Sequence, residues 1–381
     1  MLYFCNMIER LLESIVLKKI PSDKAIIILG PRQVGKTTLL EKISSQLKNE
    51  VVWMNGDEQD VQELFQNASA TRLKTIFGKA TTIIIDEAQR IPEIGLRLKL
   101  ITDKIKNVQV IVSGSSAFEL GNTINESLTG RKWEYKMFPL TFSEMVSHHG
   151  LMEERRLLPH RLIYGYYPEI VTHPGEEEER LRELTDSYLY KDLLTLDSIK
   201  KSSAIVHLLR ALAHRVGSQV SYSELSREVG VDMKTIEKYI DILEKAFILF
   251  RLGSYNNNLR NELSKSKKIY FYDNGILNAL LNDFSMPEVR SDVGKLWENF
   301  FIAERFKMNS YAKSGSLLYF WRTRQQQEID LLEVKNQKIE AFELKWSENK
   351  NVKITKTFTE AYSNATVHIV TPKNFDEFLA I

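Results

Sequence analysis

The stretch AIIILGPRQVGKTTLL, Ala25 to Leu40, decides the reading of this chain. Its first five residues are a short, continuous apolar run, the pattern of a parallel strand buried on both faces. Next comes Gly30-Pro31-Arg32-Gln33-Val34-Gly35-Lys36-Thr37, which satisfies G-x-x-x-x-G-K-[ST] at every fixed position. After Thr38, residues Leu39, Leu40, Ile43 and Leu47 recur on one side of an expected helix. Glycines let backbone N–H groups turn inward on a β-phosphate, and the helix N-terminus adds its positive dipole end. In that layout Gly30 to Thr38 cradle a nucleotide, Lys36 reaches its β- and γ-phosphates, and the Thr37 hydroxyl ligates Mg²⁺. The bland alternative is a glycine turn between strand and helix, and the flanks on both sides argue against it.

A second apolar run, TTIIIDEAQRIP, ends in Asp86-Glu87. At the carboxyl end of a strand, Asp86 is placed to hold the ion through a water and Glu87 to polarise the attacking water as general base. Alone, an acidic pair after a strand can be a solvated turn; behind a phosphate cradle in the same sheet it carries more weight. A third run, VQVIVSGSS (Val108 to Ser116), ends in small polar residues, where an open parallel sheet faces its ligand crevice. Ser115 or Ser116 is a candidate γ-phosphate sensor, with a plain turn as the alternative. Arg131, after Gly130, is a candidate for stabilising transition-state charge in cis or from a neighbouring copy, or else a surface ion-pair residue. Residues 1–145 therefore read as a nucleotide-hydrolysing α/β domain.

The whole chain has 381 residues, room for two or three domains. A formal net charge of +2 gives no global argument for a nucleic-acid partner, so any such argument rests on local patches. The single cysteine, Cys5, excludes an intramolecular disulfide and a CxxC metal cage, and fits a reducing, cytoplasmic setting. Met1 to Ile20 is too short and too charged for a membrane span and reads as an amphipathic helix.

Residues 146–200 are helical in pattern and carry no assigned chemistry. From Ser221 to Asp273 the order changes. SYSELSREVGVDMKTIEKYIDILEKAFILFRL holds a short helix, a turn at Gly230 and a second helix with Ile236, Tyr239, Ile240 and Leu243 inward. Two strand-like runs follow, FILFRL and KKIYFYD. This is the order of a winged helix-turn-helix, expected over 201–285. A DNA-reading version places Lys234, Thr235 and Lys238 toward a groove, with Arg260, Lys265, Lys267 and Lys268 near phosphates. Glu237, Asp241 and Glu244 on the same helix oppose it, and winged helices also serve as packing modules.

The last third, 286–381, contains GKLWENFFIAERF and then LLYFWRTRQQQEIDLLEVKNQKIEAFELKW. We read a helix and a hairpin turning at Asn336-Gln337, with Asp330 in its first strand and Glu343 and Lys345 on one face of its second. Asp330, Glu343 and the carbonyl between suit Mg²⁺ or Mn²⁺, Lys345 suits a water or a developing phosphorane charge, and Glu298 can complete the set. This is the E…D…ExK arrangement of restriction-endonuclease-like nucleases. Alternating charges on the solvated face of a hairpin look the same.

Taken together, GPRQVGKTTLL, IIIDEAQRIP, SGSSAFEL, LTGR…FPLTFSEM, YFYDNGILNALL, LWENFFIAE and YFWRTRQQQEIDLLE…AFELKW occur in this order along nearly the whole chain. That order resembles a large prokaryotic family of AAA-superfamily ATPases with a C-terminal domain of unknown function. The resemblance implies ATP binding through Gly30 to Thr38 and Walker B roles for Asp86 and Glu87. It also implies a winged helix followed by a restriction-endonuclease-like fold, with Glu298, Asp330, Glu343 and Lys345 at the nuclease-like positions. The family's Tyr-Arg-Asp appears here as Tyr190-Lys191-Asp192, which removes the arginine.

The expectation is thus a P-loop NTPase parallel sheet, a middle winged helix and a C-terminal α/β domain. ATP and Mg²⁺ are the expected cofactors, with a second Mg²⁺ or Mn²⁺ in the C-terminal domain. The leading function is an ATP-dependent switch on a nucleic-acid-directed module, a nuclease included. The alternative is a non-catalytic DNA- or protein-binding regulator. No membrane partner is expected, and a homo-oligomer would be needed for Arg131 to act in trans.

Overall fold

The computed structural model describes residues 7–66, 68–115, 128–186, 202–255, 267–347 and 356–379. The chain divides into two compact units, Met1–Leu140 with Lys245–Phe247, and Thr141–Glu244 with Ile248–Ile381.

The first unit is built on five strands, β1 (Ala25–Leu29), β2 (Val51–Asn55), β3 (Thr82–Asp86), β4 (Gln109–Gly114) and β5 (Lys132–Lys136). Their spatial order is β2-β3-β4-β1-β5 and every pairing is parallel. The central strands β1, β3 and β4 are buried along their whole length, as apolar runs covered on both faces should be. The edge strands β2 and β5 are only partly buried, in keeping with their mixed sequences VVWMN and KWEYK.

The helices of this unit are α1 (Leu11–Leu17), α2 (Lys36–Gln46), α3 (Gln59–Gln66), α4 (Ala70–Phe77) and α5 (Ile94–Lys104). In α2, Leu39, Leu40 and Ile43 are buried, while Leu47 caps the helix in extended conformation rather than continuing it. Because the strands are parallel, their carboxyl ends emerge at one edge of the sheet. That edge carries Gly30, Asp86 and Ser115.

The second unit opens with α6 (Phe142–His149), α7 (Leu151–Arg156), α8 (Leu158–Tyr164), α9 (Pro168–Val171) and α10 (Glu177–Leu184). Then come α11 (Ser202–His214), β6 (Gln219–Val220), α12 (Tyr222–Val229), α13 (Met233–Lys245), β7 (Leu249–Ser254), β8 (Lys267–Phe271) and α14 (Asn274–Leu281). The remainder is α15 (Val293–Ala312), β9 (Leu317–Arg322), β10 (Glu328–Lys335), β11 (Lys338–Leu344), α16 (Lys356–Ala361), β12 (Ala365–Val370) and α17 (Asp376–Leu379). Strands β10 and β11 form the expected hairpin, with Asn336 and Gln337 both at positive φ, as a two-residue turn of this hand requires.

One seven-stranded sheet, in the order β12-β11-β10-β9-β7-β8-β6, runs through this unit. Strand β7 pairs antiparallel with β8 and parallel with β9, where Gly253 and Ser254 lie opposite Tyr319 and Phe320. Residues 201–285 and 286–381, separated in the sequence reading, therefore share one sheet. The pairing joins strands far apart in the chain and leaves no local mark in either.

Candidate functional site

The cradle follows β1 directly. A Cβ on Gly30 would come within 2.2 Å of the Met137 carbonyl oxygen, so the loop passes β5 only as glycine. Gly35 caps α2 at φ +88, and Gln33 is also left-handed at φ 59. Pro31, Val34 and Lys36 are buried, Arg32 is half-buried, and Gln33, Thr37 and Thr38 are exposed. The Lys36 ammonium donates to the carbonyls of Gly30 (3.0 Å) and Pro31 (2.7 Å), lying along the loop's own backbone. Arg10, the N-cap residue of α1, donates to the carbonyls of Val34 and Phe138, both at 2.6 Å, and so braces the loop from outside.

Asp86 ends β3 with both carboxylate oxygens engaged. Its Oδ2 accepts from the Thr37 hydroxyl at 2.6 Å. Its Oδ1 accepts from the Ser113 hydroxyl and from the Glu87 N–H at 3.1 Å. One hydroxyl from the cradle after β1 thus meets one carboxylate from β3, two places away in the sheet, the donor pair that P-loop enzymes use on Mg²⁺. The residues present fit ATP and Mg²⁺: Gly30 to Thr38 would hold the phosphates, and Thr37 and Asp86 the ion.

Glu87 sits in the left-handed region at φ 48, at the start of a 3₁₀ turn over Ala88–Arg90. Its carboxylate accepts from Gln89 Nε2, and the same amide nitrogen donates to Ser115 Oγ at 2.9 Å. Gln89 Oε1 is buried without a hydrogen-bond partner among the described residues. The structure therefore brings Ser115 to Glu87 through Gln89. Ser116 lies outside the described residues.

Arg131 is placed elsewhere. Lys132 pairs with Ala25 at the start of β1, so Arg131 stands at the opposite edge of the sheet from Gly30. Five residues of strand, about 16 Å, separate the two levels. Its guanidinium binds Asp103 of α5 at 2.6 Å and holds that carboxyl below its usual range. The expectation that Arg131 serves its own cradle is corrected: it is an ion-pair residue at the far end of the sheet.

In the second unit, β8, α15, β10 and β11 converge on a carboxylate cluster. Lys268, 2% exposed, has its ammonium 3.1 Å from Glu298 Oε1 and in contact with Glu328. The Tyr270 hydroxyl donates to the same Glu298 oxygen at 2.5 Å. Asp330 Oδ2 accepts the Leu344 N–H at 2.8 Å. Lys345 donates to Glu343 Oε1 at 2.6 Å, and Glu343 Oε2 is buried with no hydrogen-bond partner among the described residues.

Burial, and then the charge on Asp330, push both Glu298 and Glu343 up to about 7. Burial pulls the Lys268 ammonium toward neutrality, but the carboxylates of Glu298, Glu328 and Asp330 outweigh it and raise its pKa. Among the described residues no three His, Cys, Asp or Glu side chains are placed to hold a metal ion. A lysine stands among the carboxylates, so the expected second Mg²⁺ or Mn²⁺ does not fit the site as built. Lys268, expected near phosphate, is likewise corrected: it is buried on carboxylates.

Of the expected DNA contacts, Lys234 and Lys238 are exposed on α13. Thr235 is occupied locally, bonding the Asp232 carboxylate through both its N–H (3.0 Å) and its hydroxyl (2.7 Å) as a helix cap. Arg251 of β7 binds Asp241 at 2.6 Å and also Glu244, taking up two of the acidic groups that oppose a phosphate partner. Arg260, Lys265 and Tyr190-Lys191-Asp192 lie outside the described residues.

Arg10, Gln89, Ser113 and Lys268 are the residues whose roles sequence reasoning missed. Ser113 had a signal, a lone hydroxyl within the apolar run of β4, and Gln89 another, an amide two residues after Glu87. Arg10 had none.

Residues 22–146 match the family described as AAA domain, 155–286 a domain of unknown function (DUF8612) and 293–379 another (DUF4143). The chain therefore carries an N-terminal AAA-type P-loop ATPase domain, a domain class that binds and hydrolyses ATP with Mg²⁺. Behind it lies a C-terminal domain of the DUF4143 family.

Along most of its length the chain is similar to an uncharacterized protein of Mycobacterium tuberculosis, 28% identical over 332 residues, 86% of this chain and 71% of the relative. It is also similar to an uncharacterized protein of Methanocaldococcus jannaschii, 23% identical over 339 residues, 84% and 74% respectively. Among solved structures it is similar to the RuvB Holliday junction branch migration motor of Thermotoga maritima. That match has 15% identity, 64% of this chain, 90% of that chain and a TM-score of 0.32. The Pif1 helicase from Candida albicans matches at 13% identity, 47% and 48%, with a TM-score of 0.28. These structural likenesses are too slight to bear on function. No described helix is long and apolar enough to cross a membrane.

Proposed function

We propose that this chain is a Mg²⁺-dependent ATPase whose hydrolysis cycle switches what its second unit holds, with nucleic acid as the partner. The observation that carries the ATPase part is the meeting of Thr37 and Asp86 beside Lys36. On nucleotide binding, Lys36 exchanges the Gly30 and Pro31 carbonyls for β- and γ-phosphate oxygens. Thr37 and Asp86 take up the ion, and Mg²⁺ when bound neutralises charge developing on the phosphates. Glu87, oriented by Gln89, polarises the attacking water.

The nucleic-acid part is supported by Lys234 and Lys238 on α13, whose acidic neighbours Asp241 and Glu244 are tied to Arg251. The order α12, α13, β7, β8 fits a winged helix-turn-helix reading.

For the last third of the chain, Lys268 among the carboxylates favours the second reading, a regulator that holds DNA or a protein without cutting it. The nuclease reading of Glu298, Asp330, Glu343 and Lys345 is tested directly. Plasmid, single-stranded DNA and RNA are incubated with Mg²⁺ or Mn²⁺, with and without ATP, beside Lys345→Ala. We expect ATP-dependent binding and no cleavage. Cleavage lost in Lys345→Ala would make the chain an ATPase-nuclease, and binding indifferent to ATP would end the switch reading.

A further inference from the structure

Four carboxylates, from Glu298, Glu328, Asp330 and Glu343, come together where α15, β10 and β11 meet, and each is at least partly withdrawn from water. Buried carboxylates in such number require a cation, because unpaired charges in a poorly solvated place repel and lose their hydration. A divalent ion is one solution. This chain supplies another from within. Lys268 points from β8 into the group, 2% exposed, with Nζ 3.1 Å from Glu298, in contact with Glu328, and 5.4 Å from the centre of the Phe320 ring. Tyr270, two residues on and on the same face of β8, adds a hydrogen bond to the Glu298 oxygen that Lys268 binds. Lys345 approaches from the other side and holds Glu343.

We propose that Lys268 is the resident cation of this cluster, its ammonium standing where the carboxylates would otherwise gather a divalent metal. An ammonium is a compact point charge with three donors, and here it is anchored by its own strand. A metal can be removed and this charge cannot, so the cluster keeps its arrangement whatever the metal supply. Glu298 is occupied by Lys268 and Tyr270 of β8 and is thereby withheld from the set a nuclease would use. This goes beyond the ATPase-switch reading and does not depend on it.

The test is Mn²⁺ titration of the full chain without nucleotide or nucleic acid, following free Mn²⁺ by its paramagnetic resonance. Wild type, Lys268→Met and Lys268→Met with Asp330→Asn are compared, folding being checked by thermal melt. We expect no Asp330-dependent uptake in wild type, one Mn²⁺ gained per chain in Lys268→Met, and its loss in the double variant. Lys268→Met with Glu328→Gln removes the cation and one carboxylate together and serves where the single variant does not fold. Mn²⁺ taken up by wild type and lost in Asp330→Asn would overturn the proposal. So would folded neutral variants that gain none. Either result leaves the ATPase reading untouched, since that is decided at Lys36 and Glu87.

Discussion

The hydroxyl of Thr37 lies 2.6 Å from the carboxylate of Asp86, a residue 49 positions further along the chain. Neither side chain needs to move far to share an ion in place of this bond. The sheet produces the meeting: β1 delivers Thr37 through its loop, and β3, two places away in the sheet, delivers Asp86 at its end. Thr37→Ala should therefore remove the Mg²⁺ dependence of nucleotide affinity while leaving the fold intact. Nucleotide titration with Mg²⁺ or EDTA checks this, and an unchanged Mg²⁺ effect would refute the role.

Lys36→Ala should abolish nucleotide binding, whereas Glu87→Gln should keep it and lower turnover by about 10²-fold or more. Fluorescent-nucleotide binding and phosphate release measure the two separately. Equal turnover in Glu87→Gln would sink the general-base assignment.

Gln89 ties Glu87 to Ser115. Gln89→Ala leaves the carboxylate without its orienting amide, and a misplaced base costs roughly tenfold to a hundredfold in rate. The expected result is a fall in kcat with KM unchanged. A rise in KM at constant kcat would show that Gln89 acts on nucleotide binding instead.

Arg10 spans two loop carbonyls, Val34 and Phe138, with one guanidinium. Arg10→Ala should cost about 2 kcal/mol, the scale of hydrogen bonds to a charged donor, and should weaken nucleotide binding. Lys in its place offers no planar fork and should restore little. Thermal melts with and without nucleotide read both effects.

Glu298 and Glu343, raised to about 7, impose a pH dependence on the second unit. A carboxyl raised in the folded state holds its proton there while the unfolded chain, near 4.5, has released it. Folding thus takes up protons between these values, and stability falls as pH rises from about 4.5 to 7. For one such group the change is about 3 kcal/mol, and the two do not simply add because both face Asp330. The melting temperature should be higher at pH 5 than at pH 8, with the slope reduced in Glu343→Gln. A flat profile would contradict the burial of these groups.

The central sheet was legible because β1, β3 and β4 are buried on both faces and so read as unbroken apolar runs with their functional residues at the ends. The edge strands β2 and β5, half-solvated, carried no such signal. Asp86 and Glu87 were visible for the same reason as β3. Arg10 was invisible because its partners are backbone carbonyls, which no side-chain pattern encodes. Lys268 misled because a lysine in a strand beside a polar loop reads as surface. Only the tertiary approach of α15 and β10 reveals the carboxylates that permit its burial.

The parallel pairing of β7 with β9 stitches the middle of the chain to its last third. A fragment ending near residue 285 would present the bare edge of β7, with unpaired N–H and C=O groups open to any passing strand. A fragment beginning there would leave β9 with the same raw edge. Truncation within 201–381 should therefore yield aggregates rather than a wing or a hairpin domain. Exchange of one half without the other would leave that seam to be rebuilt strand against strand.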